Sequence, residues 1–335
     1  MTKLYIITPN YNGITFLKEY FNSLFNQTFT DFTIIFIDNA SEDNSVEFIK
    51  ENYGDKLENK IMVIKNRENY GFAKASNQGL EKAFEDEECE YALCLNNDTK
   101  ATPDFLKELI NCAERHQNVG AVQAKIIKGF KSNIIDSTGL EYSKNGLGFD
   151  RGAYGSINKY NKEEEVFGGC AAACLYKKDA LNDVSMNGQY FDDDFFAYYE
   201  DFDLSFRLRW AGWSVWFCPK AIVNHHRGGT GGSNISSFTV YHMWRNYTWV
   251  LFKNLPLSYI LKHFYLILLC ELSQIGISLL RKRPVIIKAK IDAYADIGIF
   301  LDKNKRINKN VDFKEIEKWF VNRWRPEIPE NYEHK

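Results

Sequence analysis

A crowded group of acids and rings is the part of this sequence best suited to chemistry. The segment FDDDFFAYYEDFDLSFRLRWAGW holds six carboxylates and, before its final AGW turn, eight aromatic side chains; the acids are Asp192, Asp193, Asp194, Glu200, Asp201 and Asp203. Carboxylates that are crowded against rings repel one another and resist ionisation, which makes them stronger bases. The segment therefore predicts a general base that takes a proton from a substrate.

The spacing after Tyr199 indicates how these acids divide their roles. Apolar residues and arginines follow at helical intervals, so a helix is predicted here. Asp203 precedes Arg207 by four residues and is therefore predicted to form an ordinary ion pair within the helix. Glu200 and Asp201 would lie at the start of the helix, where the helix dipole favours anions. Plain capping of the helix is an alternative role for these two acids.

The elements that would position a site are short apolar runs that alternate with helical patterns. The predicted strands are Leu4 to Thr8, Thr33 to Ile37 and Tyr91 to Leu95, and Gly71 to Phe84 is a predicted helix. This alternation predicts an α/β fold with a parallel sheet. Ligands of such sheets collect beyond the carboxyl ends of the strands. These ends carry polar residues, namely Thr8-Pro9-Asn10, Asp38-Asn39 and Asn96-Asn97-Asp98. Their convergence predicts a nucleotide-type site.

Three further side chains are candidates for contacts with a metal ion or a nucleotide. Asp98 is a natural oxygen ligand for a divalent cation, and Asp38 could accept a hydrogen bond from a nucleobase. Both also suit ordinary turns, because Asp and Asn bond to nearby backbone groups. His225 or His226, beside the glycine-rich run GGTGGS, could complete an oxygen-rich metal shell, and a plain surface or core histidine is the alternative.

Composition excludes some classes of partner and indicates a compartment. The chain has 335 residues with 45% hydrophobic and 26% charged residues, which suits a globular protein with a substantial core. A formal net charge of −2 argues against a nucleic-acid binder. None of the seven cysteines forms a C-x-x-C pair, and the start MTKLYIITPNYNG lacks the apolar core of a signal peptide. We therefore expect a reduced protein that faces the cytosol.

The last hundred residues have a different, helical and apolar character. Long apolar helices are predicted, as in the range 249–280, and Phe264 to Leu280 is apolar over seventeen residues before Arg281-Lys282-Arg283. That run is too short and too polar to span a membrane. Two interpretations remain open: a helical subdomain packed on the core or on another subunit, and an interfacial helix with a basic edge.

Six strings of residues, in this order, match a known family. They are TPNYNG, IDNASEDNS, NYGFAKASNQGL, LNNDT, FGGCAAACLYKKDAL and FFAYYEDFDLSFRLRWAGW, and VNHHRGG follows them. Over about residues 3–230 the chain resembles family 2 glycosyltransferases of the GT-A fold, especially rhamnosyltransferase-like enzymes of bacterial surface polysaccharide synthesis. The resemblance implies a Rossmann-like nucleotide-sugar-binding domain with a mostly parallel central sheet, followed by a C-terminal helical region.

The resemblance also implies a role for each matching residue. The donor nucleotide would contact Thr8, Pro9, Asn10, Asp38, Asn69, Gly71, Lys74, Asn96 and Asn97. Asp201 is the expected general base, and Glu200 would help to hold the acceptor. Asp98 and His225 are the expected metal ligands, with His226 as an alternative to His225. The implied reaction is a single displacement that inverts the anomeric carbon.

One position departs from the family pattern. Asn96 stands where the D-x-D motif has its first Asp, so Asp98 is the single anionic ligand that the motif retains. A loosely held Mg²⁺ or Mn²⁺ is expected, retained chiefly by the diphosphate of a UDP- or dTDP-sugar. Lipid-linked acceptors are common in the resembled family, which favours peripheral contact with the inner face of the cell membrane.

The sequence divides into two predicted regions. Residues 1–235 are the catalytic domain, with a nucleotide-binding half at 1–119 and an acceptor-binding half at 120–235, and residues 236–335 form the helical region. Two other functions stay open, a nucleotide-sugar pyrophosphorylase and a non-catalytic carbohydrate-binding scaffold. The first would need a Gly-rich, Arg- or Lys-bearing loop after the first strand, which TPNYNG does not supply.

Overall fold

The computed structural model describes residues 4–57, 59–130, 132–227 and 236–325. Its strands, in chain order, are β1 (Leu4–Asn10), β2 (Phe32–Asp38), β3 (Ile61–Lys65), β4 (Tyr91–Leu95), β5 (Thr99–Ala101), β6 (Val119–Lys128), β7 (Ile135–Ser137), β8 (Leu140–Tyr142), β9 (Gly148–Asp150), β10 (Glu164–Glu165), β11 (Ala173–Lys177) and β12 (Ser214–His225).

Helices connect and cover these strands. They are α1 (Ile14–Phe25), α2 (Ser45–Tyr53), α3 (Gly71–Phe84), α4 (Phe105–Arg115), α5 (Lys178–Val184), α6 (Glu200–Ala211), α7 (Ser237–Asn254), α8 (Leu257–Lys262), α9 (Phe264–Leu280), α10 (Val285–Ala295), α11 (Ile297–Arg306) and α12 (Phe313–Glu317). Short 3₁₀ turns lie at Gly54–Lys56 and Asp193–Phe195.

One mixed sheet organises the fold in the order β10-β12-β6-β11-β4-β1-β2-β3. The pairs β1–β2, β2–β3, β1–β4 and β6–β12 are parallel, and β11 runs antiparallel between β4 and β6. The predicted α/β fold with a mostly parallel sheet and C-terminal helices is confirmed. The predicted division at residue 235 stays a prediction, and both proposed halves of the catalytic region contribute strands to the same sheet.

The sheet is covered on both faces because its central strands are apolar at successive positions. Ile6 and Phe36 belong to a cluster with α1 and α4, whereas Ile7 and Ile37 belong to a second cluster with α3, α5 and α6. Side chains of adjacent strand residues point to opposite faces, so near-continuous apolar runs require cover on both sides. This packing holds the carboxyl ends of β1, β2 and β4 at one edge.

Strand β12 is longer than the sequence predicts. The sequence predicts a strand from Ser214 to Phe217, followed by Pro219, yet the strand in the structure continues to His225. The pairing of β12 with β6 shifts register between Cys218 and Ile222, and Pro219 lies in that irregularity. A bulge accommodates a residue that cannot donate to the ladder, so the strand resumes and delivers His225 to the same edge.

The predicted long apolar helices of the range 249–280 are three separate helices. Pro256 lies between α7 and α8, and His263 lies between α8 and α9. Proline lacks the N–H that would continue α7 and suits the position before a helix start. Within the described ranges, no helix is both long and apolar enough to cross a bilayer.

Buried ion pairs join the C-terminal helices to α6 and to the segment before it. Lys253 Nζ of α7 lies 2.7 Å from Asp192 Oδ2 and 2.8 Å from Asp203 Oδ1. Lys303 Nζ of α11 lies 2.7 Å from Asp192 Oδ1. Arg207 completes the group through the predicted pair with Asp203, at 2.9 Å between Nε and Oδ2. Asp192 and Asp203 are therefore structural acids, since each is neutralised by cations.

Candidate active site

The polar ends of β1, β2 and β4 form one hydrogen-bonded group, as their sequence predicts. Asn10 Nδ2 donates to Asp38 Oδ1 at 3.1 Å, and Asn97 Nδ2 donates to Asn10 Oδ1. The backbone N–H of Ser41 donates to Asp38 Oδ2 at 3.2 Å. Three strands thus place amide and carboxylate groups together, which is the kind of surface that holds a base and a ribose.

The first two residues of the Thr8-Pro9-Asn10 string differ in their surroundings from the third. The Thr8 hydroxyl is fully buried and hydrogen-bonded to the hydroxyl of Tyr20 on α1. Pro9 is partly exposed. The side chain of Thr8 therefore contributes to the packing of α1, and its donor-binding role stays a prediction.

The turn before α3 joins the same group. Asn69 Oδ1 accepts from the backbone N–H of Gly71 at 2.9 Å, and Asn39 Nδ2 donates to the Gly71 carbonyl at 3.0 Å. Gly71 has φ +81°, and a Cβ there would lie 2.5 Å from the Phe196 carbonyl oxygen. Glycine is therefore required at this position. One turn later, Lys74 Nζ lies 4.1 Å from the centre of the Tyr70 ring.

Asp98 and His225 meet at the end of β4. His225 Nε2 lies 3.2 Å from Asp98 Oδ1 and 3.3 Å from Asn96 Nδ2. Both Asp98 and His225 are buried. An aspartate oxygen and an imidazole nitrogen that lie this close together could both bind the same divalent cation. These two protein donors leave the remaining positions of such an ion to substrate oxygens and water.

A carboxylate behind the imidazole fixes its orientation. His225 Nδ1 is 2.9 Å from Asp136 Oδ2, so Nδ1 donates and Nε2 is turned toward Asp98. Carboxylate–histidine pairs of this type orient metal-binding imidazoles. Burial alone lowers the pKa of His225, but the bonds to Asp136 and Asp98 outweigh burial and raise the pKa to about 9. Asp136 is therefore a positioning residue.

The ring of the neighbouring histidine, His226, packs against aromatic side chains. The ring of His226 packs against Phe16 and Phe130, with ring centres 4.9 and 5.4 Å apart. Its backbone N–H donates to the Asp98 carbonyl at 2.9 Å. Of the two histidines, His225 is the one whose ring nitrogen reaches Asp98. From the sequence, Gly228, Gly229, Gly231 and Gly232 suit either a linker or a loop that closes over the donor. These four glycines lie outside the described residues.

Glu200 and Asp201 begin α6, as predicted, and face the same strand ends. Asp201 Oδ2 accepts from the Ala171 N–H at 3.4 Å, and Oδ1 accepts from the Phe202 N–H at 2.9 Å. The next carbonyl, that of Ala172, accepts from the Asn96 N–H at 3.0 Å. The two-residue segment Ala171–Ala172 therefore joins Asp201 to the strand end that carries Asp98.

Burial makes both acids reluctant to ionise. Burial first, and then the charge of Asp150, raise the pKa of Asp201 to about 7. Burial first, and then the charge of Asp201, raise the pKa of Glu200 well above its ordinary value. No cation forms an ion pair with either acid within the described part of the chain, in contrast to Asp192 and Asp203. Asp201 therefore has the pKa expected of a general base at neutral pH.

Arg227 connects the surroundings of His225 with those of Asp201. Its Nε lies 2.7 Å from Asp136 Oδ1, and one terminal nitrogen lies 3.0 Å from Asp150 Oδ2. Asp136 holds His225, and Asp150 raises the pKa of Asp201. The site residues predicted from the sequence do not include Asp136, Asp150 or Arg227. Arg227 lies within the string VNHHRGG, which was an available signal, whereas the two acids lie in the short strands β7 and β9 without a motif.

A different group also has the donor types of a metal site. Cys112, His116 and Glu163 each place one ligand atom within 4.8 Å of the others. However, Arg115 pairs with Glu163 at 2.5 Å, and the His116 ring stacks on Trp216 with ring centres 3.5 Å apart. We interpret this group as an ion pair beside a stacked ring, because its carboxylate is already neutralised.

Comparison with known proteins assigns the family. The model described as glycosyl transferase family 2 matches residues 5–185, which is more than half of the chain. The chain belongs to that family. The match covers the strands from β1 to β11 of this family 2 chain and ends before α6 and β12, so the assignment does not itself test Asp201 or His225.

Curated relatives of this family 2 chain are polysaccharide synthases. It is 26% identical over 213 residues to the poly-beta-1,6-N-acetyl-D-glucosamine synthase of Staphylococcus epidermidis, covering 63% of this chain and 47% of the relative. It is 29% identical over 223 residues to the synthase of the same name from Staphylococcus aureus strain COL, covering 63% and 49%. The chain thus spans about half the length of the curated relatives it matches.

Solved structures show the same fold at low sequence identity. The structure of S. aureus TarS 1–349 matches with a TM-score of 0.53 and 19% identity, over 90% of this chain and 81% of TarS 1–349. GalNAc-T7, solved with UDP, GalNAc and Mn²⁺, matches with a TM-score of 0.65 and 15% identity, over 95% and 56%. These likenesses support the GT-A fold.

Glu200 offers a stability test of the site. The pKa of Glu200 is raised in the folded protein. Above the ordinary carboxyl pKa, the unfolded chain therefore loses the Glu200 proton while the folded protein still holds it. The free energy of unfolding therefore falls as pH rises. We expect Glu200→Gln to raise the melting temperature above that of the native protein, slightly at pH 5 and more at pH 8. Calorimetry across this pH range measures the difference.

Glu51→Gln, on the exposed surface of α2, is the matched control for Glu200→Gln. It removes one carboxylate at a solvated position, and its effect on the melting temperature should stay small at every pH. A Glu200→Gln difference that does not change between pH 5 and pH 8 would show that Glu200 titrates normally in the folded protein.

Proposed function

We propose that this protein is an inverting glycosyltransferase that moves a sugar from a nucleotide-diphosphate donor to an acceptor hydroxyl. One observation carries the proposal: the Ala171–Ala172 segment bonds to Asp201 on one side and to Asn96 on the other. The two candidate metal ligands, Asp98 and His225, and the candidate general base, Asp201, therefore border the same strand ends. This is the arrangement that transfer from a diphosphate requires.

The donor is proposed to be a UDP- or dTDP-sugar. The fold neighbour TarS was solved with UDP and with UDP-GlcNAc, and GalNAc-T7 was solved with UDP. In this chain, Asp38 and the amides of Asn10 and Asn97 supply acceptors and donors for a base and ribose. Asn69, Gly71 and Lys74 border the same group at the start of α3, where the positive end of the helix dipole and the charge of Lys74 favour phosphate. The transferred group is proposed to be a hexose or a rhamnose.

Asp98 and His225 would hold a Mg²⁺ or Mn²⁺ ion, and the donor set fits one. The imidazole Nε2 faces Asp98, and Nδ1 is already held by Asp136. A divalent cation there supplies positive charge to the departing diphosphate. Asn96, in place of an aspartate, lowers the negative charge around that position. This favours a weakly held ion that is completed by the phosphates of the donor.

Asp201 performs the proton transfer in the proposed reaction. The acceptor oxygen forms a bond to the anomeric carbon while the bond from that carbon to the diphosphate oxygen breaks, and Asp201 takes the hydroxyl proton. Attack from the face opposite the leaving group inverts the anomeric carbon. Glu200 stays protonated because of its raised pKa, and a neutral carboxyl group can donate a hydrogen bond to the acceptor.

The acceptor is proposed to be a glycan or a lipid-linked saccharide of cell-surface polysaccharide synthesis, used on the cytoplasmic side. The names of the curated synthases support this pathway. The exposed apolar side chains of the C-terminal helices support an acceptor presented at a membrane. Both supports are separate from the reaction proposed for Asp201.

A binding and hydrolysis experiment tests the proposed function. Thermal-shift screening with a panel of nucleotide sugars should raise the melting temperature by about 3 °C or more for at least one UDP- or dTDP-sugar, and only with Mn²⁺ present. That donor should then be hydrolysed slowly, again with metal. Turnover that needs added pyrophosphate would indicate a pyrophosphorylase, and binding without hydrolysis would indicate a scaffold. Either outcome contradicts the proposal.

A further inference from the structure

Helix α9 has its polar and apolar faces reversed relative to an ordinary surface helix. Its buried positions include Cys270, Glu271, Gln274 and Ser278, at helical spacing. Its exposed positions carry large apolar side chains, among them Phe264 (56% exposed), Leu268, Leu269, Leu272 (54%) and Leu279 (66%). A surface helix in water normally turns its apolar stripe to the core. The outer face of α9 is therefore suited to an environment other than water.

Specific contacts hold α9 in this orientation. Glu271 Oε1 lies 2.9 Å from Lys290 Nζ of α10, and both side chains are buried. Lys290 Nζ also donates to the Thr248 hydroxyl of α7 at 3.1 Å. Rotating α9 to bury its leucines would break this buried pair and leave charged groups without partners, which is strongly unfavourable. The fold itself therefore presents the apolar face outward.

Cations flank the apolar face at both ends. Lys262 precedes α9, and Arg281, Lys282 and Arg283 follow it. Lys262 is partly neutralised by Glu317 at 3.1 Å, whereas the three cations after α9 form no ion pair with a described carboxylate. Lys282 and Arg283 also line an open cavity of about 230 Å³ beside Ser237 and Val240 of α7. This end of the face suits a phosphate-bearing headgroup.

The charge pattern distinguishes between a lipid surface and a second copy of this chain. The one carboxylate of α9, Glu271, points inward, so the outer face offers cations and apolar groups without an acid. Two copies paired through α9 would bring cations of one copy near cations of the other or against apolar side chains. An anionic bilayer supplies both the apolar medium and the negative charge that this face lacks.

We propose that the outer face of α9, with Arg281, Lys282 and Arg283 at its end, docks on the surface of an anionic lipid bilayer. The helix lies in the plane of the interface: its seventeen residues span about 25 Å, and its leucines and Phe264 enter the acyl boundary. The basic run contacts the lipid phosphates. Docking of this kind does not depend on the glycosyltransferase reaction and is testable without a donor.

Vesicle co-sedimentation of the full chain tests the proposal. The protein should pellet with vesicles of phosphatidylcholine and phosphatidylglycerol, bind pure phosphatidylcholine at least about tenfold more weakly, and lose affinity as salt rises. The double variant Leu268→Glu with Leu272→Glu should reduce binding to the mixed vesicles by at least about tenfold. Arg281→Gln with Lys282→Gln should remove the preference for anionic lipid and leave the apolar face intact.

The matched control adds two acids elsewhere on the surface. Gln117→Glu with Asn52→Glu changes the net charge by the same amount as the leucine variant, at exposed positions far along the chain from α9. It should bind vesicles as the native protein does. Melting temperature and the metal-dependent donor shift should be unchanged in all variants, which shows that they fold and separates this test from that of the proposed function.

Two outcomes would overturn the proposal. A native chain that stays in the supernatant with anionic vesicles, at low salt, does not use this face for lipid. A concentration-dependent dimer, detected by sedimentation velocity and abolished by Leu268→Glu with Leu272→Glu, together with absent vesicle binding, would assign the face to a second copy instead.

Discussion

Asp201→Asn should lower turnover by at least about 10²-fold and leave donor affinity nearly unchanged. The substitution keeps the shape of the side chain and its acceptor oxygen, so the contact with the Ala171 N–H can persist. It removes the group that is proposed to take the proton from the acceptor. Single-turnover kinetics with a saturating acceptor and calorimetric titration of the donor measure the two quantities separately.

The pH dependence of the native enzyme provides a second readout for the same residue. Since the pKa of Asp201 is raised to about 7, its base form becomes scarce below that pH. We expect kcat/KM to rise about tenfold per pH unit in the acid range and to level off above about pH 7. Asp201→Asn should abolish this rise, which a merely structural role would not predict.

Asp179→Asn on α5 is the matched control for Asp201→Asn, because Asp179 is exposed and lies outside the site. It should retain native turnover and the native pH profile. If Asp201→Asn lost donor affinity and turnover to the same extent, Asp201 would hold the structure together and another group would be the base.

Asp98→Ala should act on the donor and the metal instead. The carboxylate of Asp98 lies 3.2 Å from His225 Nε2, so its removal takes one of the two proposed protein ligands. We expect a donor affinity at least about tenfold lower and a corresponding rise in the Mn²⁺ concentration that gives half-maximal donor hydrolysis. Asp136→Asn should produce a smaller rise of the same kind, because Asp136 acts through the orientation of His225.

Asp31→Ala, at an exposed position before β2, controls for the loss of one surface carboxylate. Asp98→Asn tests the same carboxylate with less change in side-chain volume. A Mn²⁺ titration that is unchanged in both Asp98 variants, with folded protein shown by its melting temperature, would remove Asp98 from the proposed ligands.

The sequence predicts the donor half of the fold closely, because local signals bound its elements. The predicted helix from Gly71 to Phe84 and the predicted strand from Tyr91 to Leu95 have the same bounds in the structure. An apolar run that ends at turn-forming residues leaves few possible positions for the ends of its strand or helix. The predicted pairing of Asp203 with Arg207 is likewise a local, four-residue relation, and it is confirmed.

Parts of the site that depend on distant contacts could not be predicted. Asp136 and His225 are separated by 89 positions, and no motif in the sequence connects them. The choice between His225 and His226 follows from the direction in which β12 presents each side chain. The division of the apolar C-terminal region into α7 and α8 had a local signal in Pro256, which apolar periodicity alone does not show. The outward apolar face of α9 depends on the buried pair of Glu271 with Lys290, a tertiary relation.

The buried lysines of the C-terminal helices have a consequence for dissecting this enzyme. Lys253 and Lys303 neutralise Asp192, and Lys253 also neutralises Asp203 within α6, the helix that begins with Glu200 and Asp201. A chain shortened before Ser237 would lose both cations of Asp192 and one of the two cations of Asp203, and it would expose apolar side chains of α6 that α7 covers. We therefore expect the sheet-containing part of the chain and the C-terminal helices to fold as one unit, and the carboxylates proposed to react to keep their positions only while those helices are attached.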